Sequence, residues 1–183
     1  ETEMGYNPFL KRGEFMKKER KITIALLVIY LLILSWIILF KLQFSFSTLD
    51  HIRQINLIPF SDSVIANGRI DFDEIINNVI VFIPVGVYFS LLFRNKSFLK
   101  VIGSVLSISL AYETIQFIFA IGASDITDLI CNTLGGLIGI ALVYVLSLVL
   151  KDKTNKILNR IALVCTILVV AFLFLLLSVN NMF

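Results

Sequence analysis

The sequence predicts an all-α, polytopic membrane protein: five transmembrane helices, with an extracytoplasmic interfacial or re-entrant segment between the first and the second. Three observations lead there. Apolar side chains make up 58 % of the 183 residues and charged ones only 16 %, against about 45–50 % and about 25 % in a soluble domain. The apolar excess falls in five uninterrupted blocks, each close to the roughly 20 helical residues that cross about 30 Å of hydrocarbon. The basic residues crowd into alternate connections, the bias that orients helices in a bilayer.

Residues 1–15 show no helical period and precede Met16, whose MKKERK run leads into an apolar stretch as a natural start would. They read as an added segment outside the fold, and residues 16–183 as one transmembrane domain. The first span, 22–40, is longer than the 7–15 apolar residues typical of a signal peptide, and no small-residue cleavage site follows, so it stays as an anchor. The connection 41–74 carries FSFSTL with a period of two and then HIRQINLIPFSDSVIANGRIDFDE, in which apolar residues are frequent but no stretch can span. Such a segment reads as a cap lying over helix ends. Within it Asn67-Gly68 marks a turn, and Asp71 with Glu74 forms a capping box at the start of the second span.

The second span is 75–93, where Pro84 and Gly86 interrupt regular hydrogen bonding and predict a kink. The third is 101–121, the fourth 129–150, and the fifth runs from about 157 to 179. Of the 16 basic residues, 13 fall before the first span, between the second and third, or between the fourth and fifth; only Lys41, Arg53 and Arg69 fall on the other side. The N-terminus is therefore expected inside and the C-terminus outside a bacterial cytoplasmic membrane.

The net charge of +3 is spread in short clusters and never forms a basic stripe with interleaved aromatics, which excludes nucleic acid as a partner. Cys131 and Cys165 both lie inside apolar blocks, a placement that argues against a disulfide framework and against a thiolate metal cluster. No phosphate loop, nucleophile elbow, zinc-type His pair or haem signature occurs, so no cofactor and no metal are expected. His51 and Arg53 read as membrane-surface groups, and Trp36, Tyr30 and the many Phe residues as lipid-facing or belt residues.

Hydrophilic groups inside hydrocarbon cost about 2.5–3.5 kcal/mol per central charge, so each asks for a reason. Glu113 is the one carboxylate in the core of a span, 12 residues or roughly 18 Å from the inner edge at Val101. Ser109, Tyr112, Glu113 and Gln116 follow a three-and-four spacing, a single polar stripe on the third helix. On the fourth helix Asp128, Asn132, Gly135 and Gly139 share a face, and Gly135-xxx-Gly139 permits close helix approach. Asn78, Glu113, Gln116, Asp125, Asp128 and Asn132 are thus expected to converge near the outer leaflet, while the inner half of the bundle stays almost wholly apolar. Interhelical hydrogen bonding for Glu113, Gln116 and Asn132, and helix capping for Asp125 and Asp128, are the plain structural alternatives to ligand contact.

These residues carry a resemblance. NNVIVFIPVG, with Asn78, Phe82, Pro84 and Gly86, SLAYETIQF, with Ser109, Glu113 and Gln116, and DITDLICNTLGGLIG, with Asp125, Asp128, Asn132, Gly135 and Gly139, are similar in order and content to the signature blocks of the VanZ-like family of bacterial membrane proteins. NLIPF, residues 56–60, resembles a further block that often precedes them. The resemblance covers roughly residues 56–150. Many members carry an Arg just before the first Asp of the third block, where this chain has Gly122, Ala123 and Ser124.

The resemblance implies a link to low-level resistance against glycopeptide antibiotics such as teicoplanin, which act on outer-face cell-wall precursors. It supplies a place and a pathway but no reaction. Two expectations follow. In the first, an extracytoplasmic pocket engages a membrane lipid or lipid-linked cell-wall component: Glu113 is the candidate catalytic acid or base, and Asn78, Ser109, Tyr112, Gln116, Asp125, Asp128 and Asn132 are ligand-binding candidates. Pro84, Gly86, Gly135, Gly136 and Gly139 then shape the helices. In the second, the chain is a non-catalytic interaction or scaffold protein that uses the Gly135-xxx-Gly139 face to dock a homo-oligomeric or envelope partner. A transporter fits less well, because neither repeated halves nor a polar trail through the inner leaflet is visible.

Overall fold

The structure is a computed structural model and describes residues 8–40, 52–60, 65–66, 69–70, 72–94 and 97–179. Five long helices dominate: α1 (Pro8–Phe40), α2 (Phe72–Leu92), α3 (Phe98–Phe119), α4 (Ile126–Leu150) and α5 (Thr154–Val179). Length and apolarity mark four candidate membrane-spanning segments, Met16–Leu39, Phe72–Leu92, Phe98–Phe119 and Ile126–Leu176. The last of these runs through both α4 and α5. At 1.5 Å per residue its 51 residues would measure about 75 Å, far more than one crossing needs. The run is broken by a 3-10 turn at Lys151–Lys153, where Lys151 takes φ 48° and ψ −121°.

Side-chain contacts fix the directions. Tyr30 and the Leu26–Leu27 pair of α1 meet Val81 and Tyr88 of α2 in opposite order, so these helices are antiparallel. Tyr112 and Gln116 of α3 reach Leu31 and Ile38 of α1 in the same order. Gly135 and Gly139 of α4 meet Val79 and Ile83 of α2 in step, while Ser109 and Glu113 of α3 meet Asn132 and Asp125 in reverse. Asn159 sits on Glu19, and Ala162 packs beside Leu26 and Leu27. Hence α1, α3 and α5 run one way, and α2 and α4 the other.

The tightest contact is α2 against α4. A Cβ at Gly135 would collide with the Val79 carbonyl, one at Gly139 with the Ile83 carbonyl, and one at Gly86 with the Gly136 carbonyl. Only glycine allows the two backbones to touch there, the small-xxx-small logic of close helix pairs. That face is covered from within the chain, so the docking surface expected at Gly135-xxx-Gly139 is already occupied by α2. Pro84 lies inside α2 without ending it. A proline frees carbonyls of the preceding turn, and the Val81 carbonyl, three residues before it, accepts the Tyr30 hydroxyl at 2.6 Å. Tyr30 also packs on Tyr88, ring centroids 5.9 Å apart, so it faces the bundle and not lipid as expected. The core around this contact holds Phe82, Val85, Leu34 and Val105, all fully buried.

Two features depart from an all-helical reading. Strand β1 (Ile52–Asn56) pairs in parallel with β4 (Ile121–Asp125), from Ile52 opposite Ile121 to Asn56 opposite Asp125. Strands β2 (Ile65–Ala66) and β3 (Arg69–Ile70) pair antiparallel. The third span therefore ends at Phe119 rather than 121, because Ala120 adopts the left-handed conformation at φ 53° and stops the helix. A parallel pair needs a long crossover, here α2 and α3, so nothing local in either strand announces it.

Helix α1 begins at Pro8, inside the stretch read as lacking a helical period. Proline suits the first helical position, where its missing N–H is unneeded. The FSFSTL run, His51, the Asn67-Gly68 turn and Asp71 lie outside the described residues.

The glycine contacts make a prediction. Gly139→Val should destabilise the detergent-purified protein by about 1–3 kcal/mol, the usual range for overpacking, whereas Gly103→Ala, with nothing within 4 Å of its new methyl, should leave the midpoint unchanged or raise it. Thermal unfolding followed by circular dichroism checks both; an unchanged midpoint for Gly139→Val would remove the close-contact account.

Candidate functional site

The candidate site is assembled around the first turn of α4. Asp125 closes β4 and caps α4: its Oδ1 accepts from the Thr127 N–H at 2.7 Å, and its Oδ2 from Asn56 Nδ2 at 3.0 Å. A short acidic side chain with extended backbone (φ −121°) is what an N-cap requires. Its own N–H donates to Glu113 Oε2 at 2.9 Å. Glu113 is 5 % exposed, so its carboxyl is turned into the protein and held at the N-terminal end of α4, where the helix dipole favours negative charge. Ser124 also lies within hydrogen-bonding reach of Glu113.

One turn along α4, Asp128 Oδ1 accepts from Asn78 Nδ2 of α2. One turn further, Asn132 Nδ2 donates to Ser109 Oγ of α3 at 3.0 Å. Asn132 is 3 % exposed, and its Oδ1 finds no donor among the described residues. Six of the expected residues, Asn78, Ser109, Glu113, Asp125, Asp128 and Asn132, therefore meet in three linked contacts along one edge of α4. Three carboxylates in this space make it rich in acceptors, and the amides of Asn78 and Asn132 are already donating to two of the acceptors present. Among the described residues no group of three or more His, Cys, Asp or Glu side chains is placed to hold a metal ion.

Tyr112 and Gln116 depart from this cluster. The expected single stripe on α3 divides in two: Ser109 and Glu113 face α4, whereas Tyr112 and Gln116, each one residue from a turn in register with those, face α1. The Tyr112 hydroxyl donates to the Leu31 carbonyl at 3.2 Å and lies 3.1 Å from Ser35 Oγ. Its ring meets Phe82 edge-on, centroids 6.4 Å apart. Gln116 Nε2 reaches the Ile38 carbonyl at 3.5 Å, and its Oε1 is buried without a donor among the described residues. Both tie α3 to α1, and α3 is wedged between two polar seams. Gly122 stands beside the Gln116 amide, where a Cβ would come within 3.4 Å of Nε2.

Thr127 and the chain around Asn56 complete the site and were not singled out for it. Thr127 is 1 % exposed, and its Oγ1 accepts the Phe60 N–H at 3.0 Å. Asn56 Oδ1 accepts from the Ile58 N–H at 3.1 Å, an Asx-type turn. Residues 56–60 are thus laced onto residues 125–127 at both ends. Phe60 holds φ 57°, an uncommon conformation for an aromatic residue, at the point where its N–H is captured. Arg53, on the strand leading in, donates to the Ile118 carbonyl at 3.1 Å and lies over the Phe117 ring at 5.7 Å.

Two comparisons bear on this arrangement. The VanZ/LLP1 family matches residues 27–149. A relative, Protein VanZ from Enterococcus faecium, is 45 % identical over 151 residues, which is 81 % of this chain and 88 % of that protein. The chain belongs to the VanZ/LLP1 family. The matched stretch of the VanZ-family chain includes every residue of the α4 cluster and the 56–60 segment, and it ends one residue before α4 does. No solved structure matches the chain.

The chemistry of the Glu113 contact separates shape from charge. Glu113→Gln keeps a carbonyl oxygen for the Asp125 N–H and should unfold near the wild-type temperature. Glu113→Leu strands that buried donor and should lose about 1–3 kcal/mol. Thermal unfolding of both proteins in one detergent decides it, and equal midpoints would show that the Asp125 N–H does not depend on Glu113.

Proposed function

We propose that this VanZ-family protein crosses the membrane five times, with its N-terminus inside and its C-terminus outside. We propose further that the α4 cluster is an outward-facing polar pocket for a cell-wall or lipid-linked component, through which the protein contributes to glycopeptide resistance of the teicoplanin type. The alternating helix directions and the break at Lys151 support five crossings. Basic residues at one end of the bundle support the orientation: Arg94 donates to the Lys151 carbonyl at 2.6 Å and to Asn155 at 3.2 Å, so the α2 terminus and the α4–α5 turn share one cationic edge. The α4 cluster lies at the opposite end, where the positive-inside rule puts the outside.

The observation that carries the reading is the meeting of six hydrophilic residues from α2, α3, α4 and its N-cap, together with a buried Asn132 Oδ1 that finds no donor among the described residues. Hydrogen bonding between helices accounts for the paired groups, but an amide oxygen left without a donor is unfavourable in an apolar surround. An acceptor-rich space of this kind suits a ligand that presents donors, as the amides and ammonium groups of peptide-bearing precursors do. Glu113, whose carboxyl receives the N–H of the α4 N-cap residue, is positioned to accept such a donor or to exchange a proton with it. Leu57 and Ile58, 74 % and 69 % exposed beside the site, support contact of the 56–60 segment with the membrane interface, as a cap requires.

A susceptible host carrying the wild-type protein should tolerate more teicoplanin than one carrying an empty vector. Glu113→Gln and Asn132→Ala, each present in the membrane at wild-type level, should abolish that difference. Full resistance with both variants would sink the pocket reading.

A further inference from the structure

A groove between helices lies at the end of the bundle opposite the α4 cluster, where α1 and α5 run side by side. It encloses about 320 Å3, within the range of small-molecule sites. Lys18 of α1 and Lys156 and Arg160 of α5 line it. Its floor is polar and fully knitted: Asn159 Nδ2 donates to the Glu19 carbonyl at 3.0 Å and to Glu19 Oε2 at 2.9 Å, and Thr23 Oγ1 donates to Asn159 Oδ1 at 2.9 Å. Glu19, Thr23 and Asn159 are 7 %, 0 % and 2 % exposed. Ile22 and Leu163 form the wall toward the membrane core.

We propose that this groove binds the phosphodiester head of an anionic glycerophospholipid from the leaflet that meets this end of α1. Three cations surround a single carboxylate, and that carboxylate is turned onto Asn159, so the groove as a whole favours an anion. A phosphodiester matches the donors: Arg160 offers a forked pair of N–H groups and Lys18 a mobile ammonium. Basic pockets between helices at the membrane surface are the general setting for anionic headgroups. A lipid is favoured over free phosphate because the apolar wall of the groove continues along α5 as exposed apolar surface. Leu163 is 47 % exposed, and Val164 and Ile167, farther along α5, are 56 % and 57 % exposed, a continuous bed for acyl chains below the charged rim. The Glu19–Thr23–Asn159 knot holds α1 and α5 at the spacing that forms the groove. This inference does not depend on the glycopeptide reading, nor on which side of the membrane the groove faces.

The test uses the full chain, purified from the membrane and reconstituted in nanodiscs of phosphatidylcholine with a minor fraction of phosphatidylglycerol. Native mass spectrometry reads the lipid retained. Wild type should retain phosphatidylglycerol over phosphatidylcholine, and the double variant Lys18→Gln with Arg160→Gln should cut that preference about tenfold without changing the thermal midpoint. Lys153→Gln, basic but outside the groove, should change nothing. Added inorganic phosphate should not displace the lipid. Equal lipid retention by wild type and the double variant would overturn the site, and so would an equal loss in Lys153→Gln. Displacement by inorganic phosphate would overturn the lipid as its occupant.

Discussion

Backbone-to-backbone contact between α2 and α4 is the constraint from which the rest of the bundle follows. Lipid supplies no water to drive helices together, so association rests on packing and on hydrogen bonds between them. Gly135, Gly139 and Gly86 remove the side chains that would hold the two helices apart. Once the backbones touch, Asn78 falls opposite Asp128, and the first turn of α4 is fixed against the first turns of α2. The α4 N-terminus is then a rigid edge onto which α3 and the 52–60 segment can build. A single added Cβ at these positions would push the edge outward and separate every pair assembled on it.

The second constraint is that each polar group carried into the membrane must find a partner there. Apart from Gln116 Oε1 and Asn132 Oδ1, which find no donor among the described residues, the chain meets it locally and in pairs. Asp125 serves its own helix through Thr127 and a distant strand through Asn56; Glu113 takes the one N–H that Asp125 has left to give. The parallel β1–β4 pairing belongs to the same solution. After the left-handed Ala120, five residues leave α3 before α4 begins, and their backbone groups need partners that no helix provides. Strand β1 supplies them and in doing so draws Asn56 and Phe60 over the α4 terminus. The strand pair is therefore how the site is closed at one end, and it is the reason that 56–60 belongs with residues more than sixty positions later.

Much of this was legible in the sequence, and the boundary between what was and was not is physical. Apolar blocks near twenty residues long gave the helices, because length and hydropathy are local properties. The four-residue spacing of Gly135 and Gly139 showed which face of α4 approaches another helix, though not that α2 would be the partner, since spacing describes a face and not its neighbour. The same limit explains Tyr112 and Gln116. A three-and-four spacing groups them with Ser109 and Glu113, but α3 is flanked on two sides, and adjacent residues one position apart diverge to α1 and α4. Thr127 and the β1–β4 register were hidden because they depend on contacts across two intervening helices.

The α1–α5 end of the bundle, which the charge bias of the sequence assigns to the inner half, shows most clearly how a sequence run can mislead. Glu19 stands in KKERK and Asn159 in KILNR, surroundings that read as solvated charge, and so that half was expected to be almost wholly apolar. Yet Glu19 and Thr23 are one helical turn apart and share the α1 face that meets α5, and Asn159 satisfies both. Buried hydrophilic groups thus occur at both ends of the bundle, with the Phe82–Val85–Leu34–Val105 core between them. The two ends differ in sign and in completeness. At the α4 end carboxylates dominate and an amide oxygen finds no donor among the described residues; at the α1–α5 end the polar knot is closed and cations ring it. An apolar layer between opposite charge environments blocks the passage of protons and ions between them as long as nothing hydrophilic bridges it. Among the described residues Tyr30 and Tyr112 donate their hydroxyls to the Val81 and Leu31 carbonyls, with Ser35 Oγ beside Tyr112, so the middle of the bundle holds hydroxyls tied to backbone rather than carboxylates or amides that would join its two polar ends.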